Sequence, residues 1–182
     1  IKNNAFALCT SLKYIEIPSS VTSIGDGVFD GCCSLERIII PHSVVSIGEN
    51  AFNQCSSLTY VSIFSWSLNA IKSNTFNMCK SLKEIIIRPL VKRIEKNAFN
   101  GCSSLYYINI PSALLTIGER AFCGCSSLNQ IKCRYSLTKS PSEQIEIPSS
   151  VVKIGEYAFS GCKKIERIKI PFLVTEISNG TF

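Results

Sequence analysis

Residues 12–34 read LKYIEIPSSVTSIGDGVFDGCCS, and close variants of this phrase return along the whole chain. Its anchor is Phe29. Phenylalanine stands at Phe6, Phe29, Phe52, Phe76, Phe99, Phe122, Phe159 and Phe182, with successive separations of 23, 23, 24, 23, 23, 37 and 23 along the sequence. A fixed step between about 20 and 50 residues marks a solenoid, in which each repeat buries its apolar face against its neighbours. Other positions keep the same phase. Cysteine follows each of the first seven phenylalanines by three residues, from Cys9 to Cys162. Leu12, Leu35 and Leu58 begin a second column, Ile15 and Ile38 a third, Ile17 and Ile40 a fourth. Ile24, Ile47 and Ile71 recur five residues before the next phenylalanine.

Within one unit, Ile15 and Ile17 flank Glu16, an alternation that predicts a short strand with one buried face. Pro18 ends the strand because it has no N–H to donate to a ladder. Ser19 and Ser20 turn the chain, and Val21 and Ile24 cover the opposite wall. Gly25, Gly48, Gly118 and Gly155 share one turn site, where a backbone conformation suited to glycine is expected. Asp26, Glu49, Glu119 and Glu156 follow, as acidic residues do in the first turn of a helix. A short α or 3₁₀ segment is therefore expected around each phenylalanine, with Ala51, Phe52 and Cys55 on its inner face. The phenylalanines should form one buried column.

The 182 residues are read as one continuous solenoid of about seven 23-residue repeats over 1–182. The chain opens and closes in mid-repeat without a polar cap, so it reads as a fragment of a longer protein. No run of about 18 apolar residues occurs, which excludes a membrane-spanning helix in this sequence. No basic start leads into an apolar run of the signal-peptide kind. The net charge of +6 is uneven, being −2 over residues 1–70 and +8 over 71–182. Lys80, Lys83, Arg88, Lys92, Arg93 and Lys96 are the densest basic stretch. Such a stretch attracts anionic partners or simply keeps a surface solvated. No nucleic-acid motif accompanies it, so no specific nucleic-acid partner is expected.

The unit at 12–34 resembles the 23-residue repeat of BspA-like leucine-rich-repeat proteins. Leucine, an isoleucine pair, proline, serine, valine, isoleucine-glycine, phenylalanine and cysteine-serine occur in order. The likeness covers the chain except about 134–144. It implies a leucine-rich-repeat solenoid wound as a right-handed superhelix. A parallel β-ladder is expected on one face, with short strands, turns and short 3₁₀ or α segments elsewhere. It also implies a cell-surface or extracellular location and roles in adhesion to host cells, matrix proteins or other microbes. The motif residues are core residues, so it transfers no binding residue.

Ten cysteines in an extracellular chain would invite disulfides. Seven at one repeat position argue instead for small buried thiols packing a turn. Cys33 and Cys123 are the expected exposed thiols, and Cys133, in a strand position, an expected buried one. His42 is the only histidine and follows Pro41 at a turn. No CxxC pair, nucleotide-binding glycine motif or GxSxG occurs, so no metal, no cofactor and no enzymatic activity are expected.

Partner recognition must then come from the variable positions. One outward strand column reads Tyr14, Arg37, Tyr60, Glu84, Tyr107, Gln130 and Arg167. The next includes Ile39 and Ile86, whose exposure would make an apolar patch. The candidate contacts are Tyr14, Arg37, Ile39, Tyr60, Trp66, Glu84, Ile86 and Tyr107. Tyrosine, tryptophan and arginine are enriched in binding hot spots, although aromatic and β-branched residues also simply suit strands. Two irregularities stand out. After Ile63 the proline is missing and Phe64-Ser65-Trp66-Ser67-Leu68 gains one residue, with Trp66 as plug or exposed anchor. After Phe122 the step between phenylalanines widens from 23 to 37. An inserted loop is expected at 134–144, which either takes part in binding or has no effect on it. Either Ile131-Lys132-Cys133 or Ile145-Glu146-Ile147 should form the rung. The leading reading is a surface-displayed or secreted module that binds a protein or glycan, such as host matrix or cell surface, through its strand face. The alternative is an intracellular protein–protein scaffold, which reduced cysteines would suit. The sequon Asn179-Gly180-Thr181 is compatible with secretion.

Overall fold

The alternation of apolar and polar residues does produce strands, each buried on one side. The computed structural model describes residues 1–88, 90–133 and 145–182. The loop expected at 134–144 and the Cys133 side chain lie outside the described residues. Numbered along the chain, the strands are β1 (Ser23–Ile24), β2 (Arg37–Ile40), β3 (Ser46–Ile47), β4 (Tyr60–Ile63), β5 (Ala70–Ile71), β6 (Glu84–Ile86), β7 (Arg93–Ile94), β8 (Tyr107–Ile110), β9 (Thr116–Ile117), β10 (Gln130–Cys133), β11 (Ile145–Glu146), β12 (Lys153–Ile154) and β13 (Ile168–Lys169). All pairings are parallel. β2, β4, β6, β8 and β10 form one sheet, and Tyr14 adds a bridge to Arg37 at its edge. β5, β7, β9 and β12 form a second sheet on the opposite wall, where β1 also pairs with β3. The chain winds as a right-handed parallel solenoid, the hand that parallel crossovers take.

Between the two walls runs the phenylalanine column. All eight rings stack, with centroids 5.3–5.7 Å apart and planes within 13° of parallel. From Phe29 to Phe159 they are buried completely or nearly so. Stacked pairs of this kind contribute about 0.5–1.5 kcal/mol each beyond the area they bury. The leucine and isoleucine columns pack around them as one apolar core.

The wall that carries the phenylalanines departs from expectation. No continuous α or 3₁₀ helix forms there among the described residues; the segment is a run of turns. The cause is backbone handedness. Residues two before and two after each ring of the column from Phe6 to Phe159 take positive φ, among them Gly27 and Gly31, Asn50 and Gln54, Asn97 and Gly101. A helix needs consecutive right-handed residues and cannot pass through such positions. Hydrogen bonds alternate instead. Asp30 and Cys32 N–H groups close turns onto Gly27 and Phe29 carbonyls. Gly27, Phe29 and Gly31 N–H groups donate to Glu49, Ala51 and Asn53 carbonyls of the next coil, all at 2.8 Å. On this wall each coil therefore aims these N–H groups at the coil that follows.

Two smaller expectations change with it. Gly118 and Gly155 do not take positive φ. They are small because the preceding coil is close: an added Cβ would lie 2.7 Å from the Glu95 carbonyl carbon and 2.5 Å from the Glu119 nitrogen, respectively. The acidic residues at this corner do not cap helices either. Asp26 Oδ1 accepts the Glu49 N–H of the next coil at 2.8 Å, and Glu119 pairs with Lys96 at 2.8 Å.

The cysteines fill the turn as reduced thiols, and no disulfide joins any of the described ones. Six Sγ atoms donate to the carbonyl of the phenylalanine in the preceding coil, from Cys32 to Phe6 at 3.0 Å through Cys162 to Phe122 at 3.1 Å. Cys9, in the first coil, has no such cover and is exposed, as is Cys33. Cys123 is half-buried. An amide column beside them was not anticipated. Asn53, Asn77 and Asn100 donate to Asp30, Asn53 and Asn77 at 2.7–2.9 Å, one residue after each phenylalanine.

The insertion after Phe122 holds two rungs instead of one. β10 pairs with β8 and β11 with β13, while Phe122 and Phe159 remain stacked at 5.3 Å. The ladder thus gains a rung where the ring column gains none. No helix among the described residues is long and apolar enough to cross a membrane.

Truncating a mid-column ring should be costly. Phe99→Ala is expected to lose about 3–5 kcal/mol in a denaturant melt, and a loss below about 1 kcal/mol would contradict the stacked core. The thiols predict a pH dependence. Burial pushes Cys32 up to about 11, Cys162 up to about 12, and Cys102 well above the usual thiol range. Because the folded values are raised, this stability is complete below the ordinary thiol value of 9.0 and is lost as pH climbs through 11 to 12. Melts across that window should fall more steeply for the native protein than for Cys102→Ala. In native labelling Cys9 and Cys33 should react before the thiol column, and all ten cysteines should react after denaturation without reductant.

Candidate strand-face interaction site

Parallel register brings the variable strand residues together. Tyr14, Arg37, Tyr60, Glu84, Tyr107 and Gln130 are successive partners across the ladder, forming one outward row. Tyr14, Arg37, Tyr60, Glu84 and Gln130 are exposed and Tyr107 is half-buried. In the neighbouring row Ile39 pairs with Ser62 and Ile86 with Asn109. Ile39 and Ile86 are both exposed, whereas Asn109 is buried. Tyr106, one residue before the first row, reaches Glu84 through its hydroxyl at 3.4 Å.

The rows are not uniform, because the ladder splits between β4 and β6. β2 and β4 pair over four residues and β6 and β8 over three, but β4 meets β6 only at Tyr60 and Glu84. The extra residue after Ile63 is the cause. The Phe64 N–H still donates to the Ile40 carbonyl at 2.9 Å, and then the chain bulges. Ser65 turns inward, fully buried, and its hydroxyl accepts the Ser67 N–H at 3.2 Å. Leu68 is the residue that plugs the bulge, being buried. Trp66 is not the plug: it is 55% exposed.

Arg88 closes the split. Its Nε donates to the Ile63 carbonyl. Its guanidinium carbon lies 5.0 Å from the Trp66 ring centroid and 5.9 Å from that of Phe64. Cation–π contacts of this kind contribute about 0.5–1 kcal/mol at exposed sites. They also hold the guanidinium in place with further N–H groups on its fork, suited to a carboxylate. Below it lies a cavity of about 220 Å³ bordered by Tyr60, Ser62, Glu84, Ile86 and Arg88. Ile86 in its lining is 48% exposed, and Phe64 beside the Arg88 guanidinium is 47% exposed.

Of the expected contacts, Tyr60, Trp66, Glu84 and Ile86 gather at or beside this split. Ile39 and Arg37 sit one rung away, and Tyr14 and Tyr107 lie on the flanking rungs of the row. Phe64 and Arg88 were missed. Their signal is present in the sequence: both stand twelve residues after a phenylalanine, where Pro18, Pro41 and Pro111 stand in other coils. Two adjacent coils lose that proline, and their substitutes meet, the Arg88 guanidinium lying against the Phe64 ring. The basic stretch is partly consumed internally, since Arg93 faces Glu95 at 3.5 Å and Lys96 binds Glu119. His42 is exposed. Among the described residues no cluster of three His, Cys, Asp or Glu side chains is arranged to hold a metal ion.

Comparison with known proteins places this geometry. The chain is similar to the T. pallidum leucine rich repeat protein TpLRR, with 30% identity and a TM-score of 0.76 over 91% of this chain and 70% of that one. It resembles a leucine-rich repeat protein from Eubacterium ventriosum at 29% identity and TM-score 0.73, covering 93% of this chain and 41% of the other. It also resembles a leucine rich cell surface protein from Faecalibacterium prausnitzii at 30% identity and TM-score 0.60, covering 86% and 45%. The chain thus spans less than half the length of the last two. None of the curated proteins matches. The family described as BspA type leucine rich repeat region matches residues 1–129 and 133–182 in six copies. This chain belongs to that BspA-type leucine-rich-repeat family.

Proposed function

We propose that the chain is the recognition segment of a surface-displayed or secreted protein, and that it binds a protein partner through its strand face. The observation that carries this reading is the convergence at the β4–β6 split. Exposed Tyr60 and Ile86 line a small cavity with Arg88, whose guanidinium is clamped by exposed Phe64 and Trp66. Tyrosine, tryptophan and arginine around a pocket are the usual anchors of protein interfaces. The rest of the outward row, from Tyr14 to Gln130, supplies a rim of mixed charge. The surface location is supported by likeness to a relative that is itself a leucine rich cell surface protein. Adhesion to a host cell or matrix protein is the role that fits such a surface.

One observation favours a second reading. Nine described cysteines are free, and the column of buried thiols suits a reducing compartment. An intracellular scaffold would use the same face. Antibody labelling of intact, unpermeabilised cells separates the two locations.

Trp66→Ala, Tyr60→Ala and Arg88→Ala should each weaken binding to intact cells or immobilised matrix proteins by about tenfold or more, without loss of fold. Leu115→Ala, on the opposite wall beside β9, should leave binding unchanged. Full affinity in a folded Tyr60→Ala/Trp66→Ala double variant would remove the strand face from consideration.

A further inference from the structure

The cavity at the β4–β6 split has two kinds of lining, and together they describe what fills it. Val61, Ile63 and Ile85 are buried core aliphatics, and a fourth aliphatic, Ile86, is exposed. The charged lining is Arg88 and Glu84. The Arg88 Nε already donates to the Ile63 carbonyl. Its terminal amino groups make no hydrogen bond among the described residues, while the Trp66 and Phe64 rings hold the guanidinium. A fork held in this way, with donors side by side, pairs a carboxylate at both oxygens. Glu84 Oε2 accepts the Tyr106 hydroxyl at 3.4 Å, which leaves Oε1 as an acceptor.

We infer that the protein partner inserts its C-terminal residue here, with an apolar side chain in the cavity, the terminal carboxylate on Arg88 and the last peptide N–H on Glu84. This rests on the strand-face reading and names the group that the face recognises. Volume sets the first limit. A cavity of about 150 Å³ holds a benzene ring, and small-molecule pockets begin at about 300 Å³. The 220 Å³ here therefore suits one side chain of leucine, isoleucine or phenylalanine size. Covalent reach sets the second limit. In an extended chain adjacent side chains point to opposite faces, and those on one face stand about 7 Å apart. Aliphatic residues and Arg88 border one small cavity, which suits an apolar side chain and a carboxylate carried on a single Cα. Only a chain end has both. An internal aspartate or glutamate brings its carboxylate with one or two methylene groups, too little to cover the aliphatic lining. Charge sets the third limit. Glu84 repels a second negative charge, which disfavours an acidic run, a phosphate or a sulfated glycan. A sugar would also leave hydroxyls without partners against the isoleucines.

Trp66 is the sole tryptophan and lies against the guanidinium, so its fluorescence reads the site directly. Three peptides are titrated to about 10 mM, a range that reads millimolar affinity. They are acetyl-Gly-Gly-Leu with a free carboxylate, the same peptide as its C-terminal amide, and amidated acetyl-Gly-Leu-Glu-Gly with an internal acid. The expected result is a saturable change with the free acid, and affinity lower by about tenfold or more for the other two. Arg88→Lys, which keeps the charge and loses the flat fork, should weaken the free acid about tenfold or more. If that variant loses its fold, Ile86→Ala is expected to weaken the free acid in the same direction. Equal binding of acid and amide, no saturable response to any peptide, an internal acid as tight as the terminal one, or free leucine as tight as the peptide would overturn the inference. Loss of cell or matrix binding in Tyr60→Ala/Trp66→Ala, with no free-acid response in the unsubstituted chain, would overturn it and leave the strand-face reading standing. A free-acid response beside full cell binding in that double variant would support the cavity and remove the strand-face reading.

Discussion

A single coil of this solenoid cannot bury a phenylalanine ring by itself. The ring is shielded only when the coils on either side place rings above and below it, and this requirement governs everything else. It explains why the stack is unbroken at both irregular repeats, with centroids 5.4 Å apart across the longer coil after Phe52 and 5.3 Å across the insertion after Phe122. Extra residues cannot be absorbed at the rings, so they are expelled to the strand side. Variation therefore accumulates on the face that solvent and partners can reach. The split at β4–β6 and the doubled rung at β10 and β11 are two outcomes of one constraint.

The same constraint determines what could be read before the structure was known. Columns of phenylalanine, leucine, isoleucine and cysteine are legible because burial demands the same class of side chain in each coil. The outward row of Tyr60, Glu84 and Tyr107 is legible because strands alternate. The turn around each phenylalanine is not. Its positive-φ positions hold glycine, asparagine, glutamine, leucine, methionine, arginine and tyrosine. That mixture shares no side-chain property, since the conformation is enforced by bonds to the next coil. Helix and linked turns both place Ala51, Phe52 and Cys55 inside, so the apolar pattern cannot tell them apart.

The site follows the same division. Trp66 attracts notice as the sole tryptophan, but its role depends on Arg88, which belongs to the following coil in sequence and lies 5.0 Å away in space. Only the loss of proline from two adjacent coils hints at the pairing. The insertion misleads for a related reason. Assuming one rung per ring makes Ile131 and Ile145 competitors, yet a solenoid can hold unequal numbers of each on its two sides. Here β10 pairs with β8 and β11 with β13, while Phe122 and Phe159 stay stacked.

The one-way hydrogen bonds of the ring wall have an electrical meaning. In the coil of Phe29, the peptide units 26–27, 28–29 and 30–31 all point carbonyls toward the preceding coil and N–H groups toward the following one. Each such unit carries a dipole of about 3.5 D, and coils in series add them as a helix does. The corners that lead into and out of the strands run the other way: the Ser104, Tyr106, Leu115 and Gly118 N–H groups donate to the Lys80, Lys83, Lys92 and Ile94 carbonyls of the preceding coil. The ring wall is thus a polar stripe, partially negative toward the first coils and partially positive toward the last, flanked by corners of the opposite sense. Every repeat added in sequence lengthens these stripes with their dipoles aligned, whereas two stacks brought end to end in opposite senses would set like pole against like pole along the ring wall.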